Sequence, residues 1–159
     1  MLKQIPQILP PALLKVLCEM GHSDRILLAD GNFPSESMGK NAIVIRMDGY
    51  DVPSVLDAIL RIFPLDKAVE KPVSLTQVMP GENVETPIWD VYKKIVANYD
   101  ERGGAAFQEI ERFAFYEEAK KAYCIVPTGE KALYGNIMLQ KGVLVPEDYV
   151  PVYGRDTVS

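Results

Sequence analysis

The stretch PALLKVLCEMGHSDRILLADGNFPSESMG, residues 11–39, decides the fold and contains the first candidate site residues. Apolar residues recur at helical spacing after two prolines, and a glycine follows them, so we predict a helix over residues 11–20 capped by Gly21. The apolar run RILLA predicts a buried strand over Arg25–Ala29 that leads directly to Asp30. The segment after Asp30 is rich in Gly, Asn, Pro and Ser, which predicts a loop over residues 31–40.

Helical and strand-like patterns alternate along the rest of the chain. Helical spacing predicts helices over residues 53–63, from residue 87 with Thr86 as N-cap, and over residues 112–122. Apolar and β-branched runs predict strands over residues 42–47, 73–79, 123–128 and 134–144. The alternation favours a single α/β domain, residues 1–144, whose sheet is covered by helices. Residues 145–159 contain two prolines and no periodicity, which predicts an extended arm or an interface segment.

Composition argues against several classes of partner. The chain has 17 basic and 22 acidic residues, a net charge of −5, whereas nucleic acids and anionic membranes require a basic face. No apolar run approaches the ~18 residues of a membrane span, and prolines interrupt the first 17 residues, so we expect a cytoplasmic protein. Cys18 and Cys124 lie in apolar runs without CxxC spacing, and we expect two buried, reduced thiols.

His22 and Asp30 are the first candidate site residues. Histidine suits proton transfer near neutral pH, although a histidine just after a helix can also simply stabilise the helix dipole. Asp30 follows a buried strand, where α/β proteins tend to bind ligands. Its oxygens suit the hydroxyls of a sugar, a hydrogen bond that orients His22 across the strand, or the backbone of the loop that begins at Gly31. A lone histidine with no nearby cysteine argues against zinc, and no GxSxG, GxGxxG or P-loop spacing occurs in the sequence.

Two later segments add polar groups. Arg112 precedes three aromatic residues, so it can bind a ligand, lie over the aromatic rings or pair with a nearby glutamate. Tyr134, Gly135 and Asn136 open the last predicted strand. Tyrosine and asparagine offer donors and acceptors, and glycine permits close approach of the backbone.

Taken together, these segments resemble the L-fucose mutarotase family, which is sister to the D-ribose pyranases. The matching stretches are residues 11–39, RMDG (46–49), RFAFYEEAKKAYCIVPTGE (112–130) and YGNIMLQKGV (134–143), about half of the chain in the same order. The sequence Asn32-Phe33-Pro34 and the glycine at position 135 favour the fucose type over the ribose type.

The resemblance implies a ribose pyranase/fucose mutarotase-like α/β fold with a mixed sheet. It implies an isomerase that interconverts the anomers of L-fucose, or of a related free monosaccharide, by acid/base ring opening and closure. His22 would be the acid/base, and the sugar would be bound by Asp30, Arg112, Tyr134, Gly135 and Asn136. The family works without metal or cofactor, and it forms ring-like homo-oligomers, commonly decamers, with sites near the subunit contacts.

Three alternatives remain open. One is a D-ribose pyranase, or a mutarotase acting on another sugar. The second is a non-catalytic sugar-binding or transport-accessory protein that uses the same pocket without turnover, and the third is a purely structural ring-forming protein. The joint presence of the candidate acid/base and the sugar-binding side chains favours the enzyme, because binding or assembly alone would not require that set.

Overall fold

A computed structural model describes residues 1–149 of this chain. Its helices are α1 (Pro11–Glu19), α2 (Ser35–Met38), α3 (Val52–Leu60), α4 (Pro87–Ala97) and α5 (Arg112–Lys120). Its strands are β1 (Arg25–Ala29), β2 (Ile43–Val44), β3 (Val73–Thr76), β4 (Phe107–Ile110), β5 (Cys124–Pro127) and β6 (Ile137–Gln140). Short 3₁₀ helices cover Gly103–Ala106 and Pro146–Asp148.

The six strands form one mixed sheet in the order β2-β5-β1-β6-β3-β4. Strand β6 runs antiparallel to both of its neighbours, β1 and β3, while the other pairs are parallel. The carboxyl ends of β1 and β3 therefore lie at the edge of the sheet where β6 begins. This arrangement confirms the predicted single α/β domain with a mixed sheet.

Strand β1 is buried on both faces of the sheet. Successive side chains of a strand point to opposite faces, so Ile26 and Leu28 join the larger core under α1, α3 and α4. Leu27 and Ala29 join a smaller core that includes Phe115 of α5. Packing on both faces holds the two ends of β1 in fixed positions, and each end carries a group of polar side chains.

Several local predictions were wrong. The predicted loop after Asp30 contains the short helix α2, and the strand predicted over residues 42–47 is reduced to β2 plus an isolated bridge between Met47 and Thr128. Strand β4 was not predicted. Helix α1 ends at Glu19, and its C-cap is Met20 in an extended conformation instead of the predicted Gly21. The N–H of Gly21 donates to the Asp24 carboxylate in the turn that follows.

Capping and cysteine burial also differ from expectation. Thr86 lies at the N-cap position of α4, but its side chain makes no capping hydrogen bond. A side-chain cap that was not predicted occurs at α5, where the Glu111 carboxylate accepts two backbone N–H groups of the first turn. Cys124 is buried, which raises the pKa of its thiol to about 12, whereas Cys18 is exposed on α1.

The C-terminal segment is described only in part. Of the arm predicted over residues 145–159, residues 150–159 lie outside the described part, and Pro146–Asp148 form a short 3₁₀ helix. Among the described helices, none has the length and apolar character that a membrane crossing requires.

Candidate active site

A cavity of about 220 Å³ opens at the edge of the sheet where β1 and β3 end and β6 begins. It brings together Asp30, Arg112, Tyr134 and Asn136, four of the side chains predicted to bind a sugar. Asp30, Arg112 and the pair Tyr134 and Asn136 come from distant parts of the chain, so the tertiary fold makes them neighbours. The structure brings these four residues together, and their role in binding a sugar stays a prediction.

The carboxylate of Asp30 is buried, with 6 % of the residue exposed, and it is held from several sides. Its Oδ1 accepts the N–H groups of Asn32 and Phe33 at 3.0 Å each. Its own N–H donates to Oδ1 of Asn136 at 2.8 Å. Burial raises the pKa of Asp30, and the backbone donors offset part of that rise. One oxygen of Asp30 thus organises the loop, and the carboxylate still lines the cavity.

Helix α4 fixes the segment of Tyr134, Gly135 and Asn136 from behind. Trp89 Nε1 donates to the carbonyl of Tyr134 at 2.9 Å, and the Tyr92 hydroxyl donates to the carbonyl of Gly135 at 2.6 Å. Tyr134 has a φ of 55°, which is uncommon for a residue other than glycine. A Cβ added to Gly135 would lie 3.3 Å from Cβ of Asp30, so the glycine allows the two strand ends to approach each other.

The hydroxyl of Tyr134 belongs to a small network at the mouth of the cavity. It donates to the Glu82 carboxylate and accepts the N–H of Met79 at 3.1 Å. The hydrogen bond to Glu82 raises the pKa of the Tyr134 phenol. Glu82 and Met79 lie in the part of the chain between residues 73 and 110, for which the sequence suggested no site residue.

Arg112 begins α5 and lies over an aromatic ring. Its Nε donates to the Tyr116 hydroxyl at 3.3 Å, and its guanidinium carbon is 5.6 Å from the centre of that ring. Tyr116 in turn makes an edge-to-face contact with Phe33, also at 5.6 Å between centres. The sequence left open whether Arg112 binds a ligand, lies over an aromatic ring or pairs with a glutamate. The structure shows the contact with an aromatic ring, and Arg112 also lines the cavity. It supplies a positive charge to the cavity that Asp30 also lines.

His22 lies at the opposite end of β1, in a second group of polar side chains. Its Nε2 is 3.1 and 3.2 Å from the two carboxylate oxygens of Asp66, whose residue is 1 % exposed. Gln140 Nε2 and the N–H of Ala68 also donate to Asp66, both at 2.9 Å. Burial acts to raise the pKa of Asp66, but these hydrogen bonds outweigh it and hold the pKa below its ordinary value.

The Asp66 carboxylate orders the histidine ring. An ionised carboxylate can only accept hydrogen bonds, so Nε2 of His22 carries the proton. Its other nitrogen, Nδ1, is then the basic atom, and the side chain of His22 is 47 % exposed. Asp66 was missed in the sequence, where it is a single aspartate between a predicted helix and a predicted strand.

The expected contact between His22 and Asp30 does not occur within one chain. The two residues flank β1, whose five residues extend about 13 Å at 3.3 Å per residue. Asp66, and not Asp30, therefore orients His22. The segment that carries Asp66 is itself tethered, because Arg102 donates to the carbonyls of Asp66 at 3.1 Å and Val69 at 2.8 Å.

Residues 1–149 contain no candidate metal site. No group of three or more His, Cys, Asp or Glu side chains in this range has an arrangement that could hold an ion. The described residues do offer an imidazole ordered by a buried carboxylate, and a cavity lined by polar side chains.

Comparison with protein families identifies relatives over most of the chain. Residues 3–144 match the model of the RbsD / FucU transport protein family. The chain is 46 % identical to the fucose mutarotase of Mus musculus, over 90 % of this chain and 95 % of that protein. It is 43 % identical to the L-fucose mutarotase of Glaesserella parasuis, over 90 % of this chain and 96 % of that protein.

Solved structures give a consistent result. FucU from Bifidobacterium longum is 59 % identical, with a TM-score of 0.89 over 90 % of this chain and all of that chain. The fucose mutarotase from Streptococcus pneumoniae, solved in complex with L-fucose, is 43 % identical, with a TM-score of 0.83 over 91 % of this chain and all of that chain. RbsD from Bacillus subtilis, complexed with D-ribose, is 22 % identical with a TM-score of 0.68 over 91 % of this chain and all of that chain, a likeness that concerns the fold alone.

Proposed function

We propose, since this chain belongs to the RbsD / FucU transport protein family, that it is a mutarotase that interconverts the α and β anomers of L-fucose. It is an isomerase that acts on a carbohydrate. The observation that carries the proposal is the cavity at the carboxyl end of β1, which brings a carboxylate, a guanidinium and an amide to one small space. Relatives named fucose mutarotase match this chain over nine-tenths of its length, and one related structure holds L-fucose.

The chemistry of the cavity suits a free monosaccharide. Its volume of about 220 Å³ is below the ~300 Å³ at which pockets for drug-sized ligands begin. Asp30 accepts from sugar hydroxyls and Arg112 donates to sugar oxygens, and such charge-assisted hydrogen bonds fix orientation. The Oδ1 of Asn136 already accepts the N–H of Asp30, which leaves its Nδ2 as a donor for the sugar.

Mutarotation needs two proton transfers and no covalent intermediate. One group takes the proton of the anomeric hydroxyl, another protonates the ring oxygen as the ring opens, and closure on the other face of the carbonyl reverses both transfers. We assign the first transfer to Nδ1 of His22. One positioned base typically accelerates such a reaction by ~10²–10⁴-fold. Tyr134, or a water that it holds, would protonate the ring oxygen. In this structure the Tyr134 hydroxyl directs its proton to Glu82.

We further propose that the active site is completed between subunits of a homo-oligomer. His22 and the cavity lie at opposite ends of β1, so one chain does not present both to one sugar. The family resemblance points to a decameric ring. Phe113 and Leu133, beside the cavity, are 65 % and 57 % exposed, and apolar side chains at such a position are typical of a subunit contact.

We propose the cytoplasm as the compartment in which the enzyme acts. Both cysteines are free, and free thiols are typical of proteins from reducing compartments.

Saturation-difference NMR on equilibrated L-fucose tests the activity. One anomeric proton is irradiated and the loss of signal is followed on the other, with D-ribose as the second sugar. We expect strong transfer with the wild type and none above buffer with His22→Ala. Saturable sugar binding with exchange no faster than buffer would instead identify a non-catalytic binding protein, and faster exchange with ribose than with fucose would identify a ribose pyranase.

Mixed oligomers test the sharing of the site. His22→Ala and Asp30→Asn are each expected to be inactive, and the two variants are co-expressed in equal amounts. If one subunit supplies His22 and its neighbour supplies Asp30, random assembly restores about a quarter of the sites. If each chain used its own His22 and Asp30, the mixture would remain as inactive as its components.

A further inference from the structure

The hydroxyl of Thr76 is a buried polar group at the cavity whose hydrogen-bonding capacity is unused. Thr76 ends β3, is 4 % exposed and lines the cavity, yet no group in the described residues hydrogen-bonds to its Oγ1. Other buried hydroxyls on this sheet are satisfied. Ser74 accepts from Gln108 Nε2 at 3.1 Å, and Thr128 donates to the carbonyl of Ala29 at 2.7 Å. A buried hydroxyl without a partner destabilises the free protein, so its presence at a ligand cavity points to the ligand as its partner.

The sheet register places Thr76 next to Asn136 and on the far side of it from the strand that leads to Asp30. Ile137 of β6 pairs with Leu28 of β1 on one side and with Leu75 of β3 on the other. One residue closer to the cavity, Ala29, Asn136 and Thr76 lie side by side, and Asp30 directly follows Ala29. Neighbouring strands lie about 4.8 Å apart, so Thr76 is about two strand spacings from the strand that carries Asp30. A molecule seated on Asn136 therefore has Asp30 at one edge and Thr76 at the other.

We propose that Thr76 is a further substrate-binding residue, whose hydroxyl bonds to a sugar hydroxyl at the edge of the ring away from Asp30. The inference rests on the proposed function and deepens it by naming a group that selects the substrate. A hydroxyl both donates and accepts, so it can bind a sugar hydroxyl in either role. A sugar analogue that lacks this one hydroxyl would leave Thr76 unpaired and would bind more weakly.

Replacement of Thr76 by valine separates this role from a structural one, because the two roles predict opposite signs. Valine keeps the branched shape and removes the unpaired hydroxyl, so Thr76→Val is expected to raise the thermal midpoint of the sugar-free protein. The same change removes a hydrogen bond to the sugar and is expected to raise KM for L-fucose about 3–10-fold. The kcat should change little, because the bond is made to substrate and transition state alike. Thr76→Ser keeps the hydroxyl and should keep KM.

Ser35 offers a matched control. It is the other buried hydroxyl with no partner in the described part of the chain, it is 4 % exposed, and it lies at the start of α2 and not in the cavity lining. Ser35→Ala removes an unpaired hydroxyl just as Thr76→Val does. We expect a raised thermal midpoint and an unchanged KM, which would show that relief of an unpaired hydroxyl does not by itself alter sugar binding.

The experiment measures anomer exchange by NMR across L-fucose concentrations, and thermal unfolding with and without the sugar. For Thr76→Val we expect a more stable sugar-free protein and weaker sugar binding. We also expect that one monodeoxyfucose, the one that lacks the hydroxyl bound by Thr76, binds equally to wild type and variant. An active enzyme whose KM is unchanged by Thr76→Val would overturn the inference, and so would a lower midpoint of the sugar-free variant. If the wild type binds sugar without exchange, the proposed function fails, and Kd values from NMR titration test Thr76 in the same way. If no sugar binds, both proposals are wrong.

Discussion

Replacement of Asp66 by asparagine should stop catalysis through His22 while leaving the sugar pocket intact. Asparagine keeps one oxygen for the N–H of Ala68, and that oxygen lies 3.2 Å from Nε2 of His22. An NH₂ group takes the place of the other oxygen, which accepts from Gln140 and lies 3.1 Å from the same nitrogen. We expect the NH₂, as the nearer group, to donate to Nε2 of His22, so that the ring proton moves to Nδ1 and the base assigned to the sugar is lost. We expect kcat to fall by about 10²–10⁴-fold, the contribution of one positioned acid/base.

The same substitution should lower stability by a moderate amount. Asp66 is 1 % exposed, and a hydrogen bond to a buried charged group contributes about 1.5–3 kcal/mol. Gln140 can rotate its amide to accept from the new NH₂, so we expect a loss of about that size in the free energy of unfolding. The folded-state pKa of Asp66 lies below its ordinary value of 3.8. The stabilisation by Asp66 is therefore present above that value and is lost as the pH falls through the folded-state pKa, which urea unfolding at several pH values would detect.

Gln140→Met is the matched control for Asp66→Asn. It removes one donor to Asp66 and leaves the contact with His22, so it should lower stability while exchange by saturation-difference NMR stays close to wild type. L-fucose binding should be retained in both variants. Exchange within about threefold of wild type for Asp66→Asn would refute the reasoning from tautomers, since one positioned base contributes far more. Equal losses of exchange in both variants would show that Asp66 acts through stability alone.

Three further predictions concern the cavity and the cysteines. Burial raises the pKa of Asp30, so the ionised carboxylate destabilises the folded state above the unfolded-state pKa. Asp30→Asn should therefore unfold at the same or a higher temperature than the wild type at pH 7, and this difference should vanish below about pH 4. The variant should also lose sugar binding in NMR titrations. Gly135→Ala would bring a Cβ to 3.0 Å from the carbonyl oxygen of Ala132, and we expect a loss of about 1–3 kcal/mol in urea unfolding together with weaker L-fucose binding. A thiol reagent should modify exposed Cys18 in the native protein and buried Cys124 only in denaturant, as mass spectrometry would show.

The parts of the fold that follow from local pattern were predictable from the sequence. Strand β1 follows directly from its apolar run, and its predicted bounds, Arg25–Ala29, were correct to the residue. Strand β4 was missed because it lies at the sheet edge and two of its four residues, Gln108 and Glu109, are exposed, which leaves too weak an alternation. The antiparallel direction of β6 depends on the path of the whole chain, and no pattern within Ile137–Gln140 indicates it.

The candidate site, like the fold, was predictable from the sequence only in part. Asp30, Arg112 and Asn136 share one cavity as expected, because each belongs to a recognisable segment at an end of a strand or helix. The partner of His22 could not be predicted, since Asp66 is 44 residues away and is recruited by the tertiary fold. The unpaired hydroxyl of Thr76 was equally hidden, because only the packed sheet shows that a threonine lacks a hydrogen-bond partner.

The position of β1 between His22 and the sugar cavity has a consequence for the timing of activity. A chain that has folded has one half of two different active sites and, under the shared-site proposal, no complete one. A newly made subunit would then become active only on meeting others, at a rate that rises with protein concentration and not with the rate of folding. The catalytic rate would therefore measure the fraction of assembled subunits. Dilution below the dissociation constant of the ring would abolish activity while the subunits stay folded.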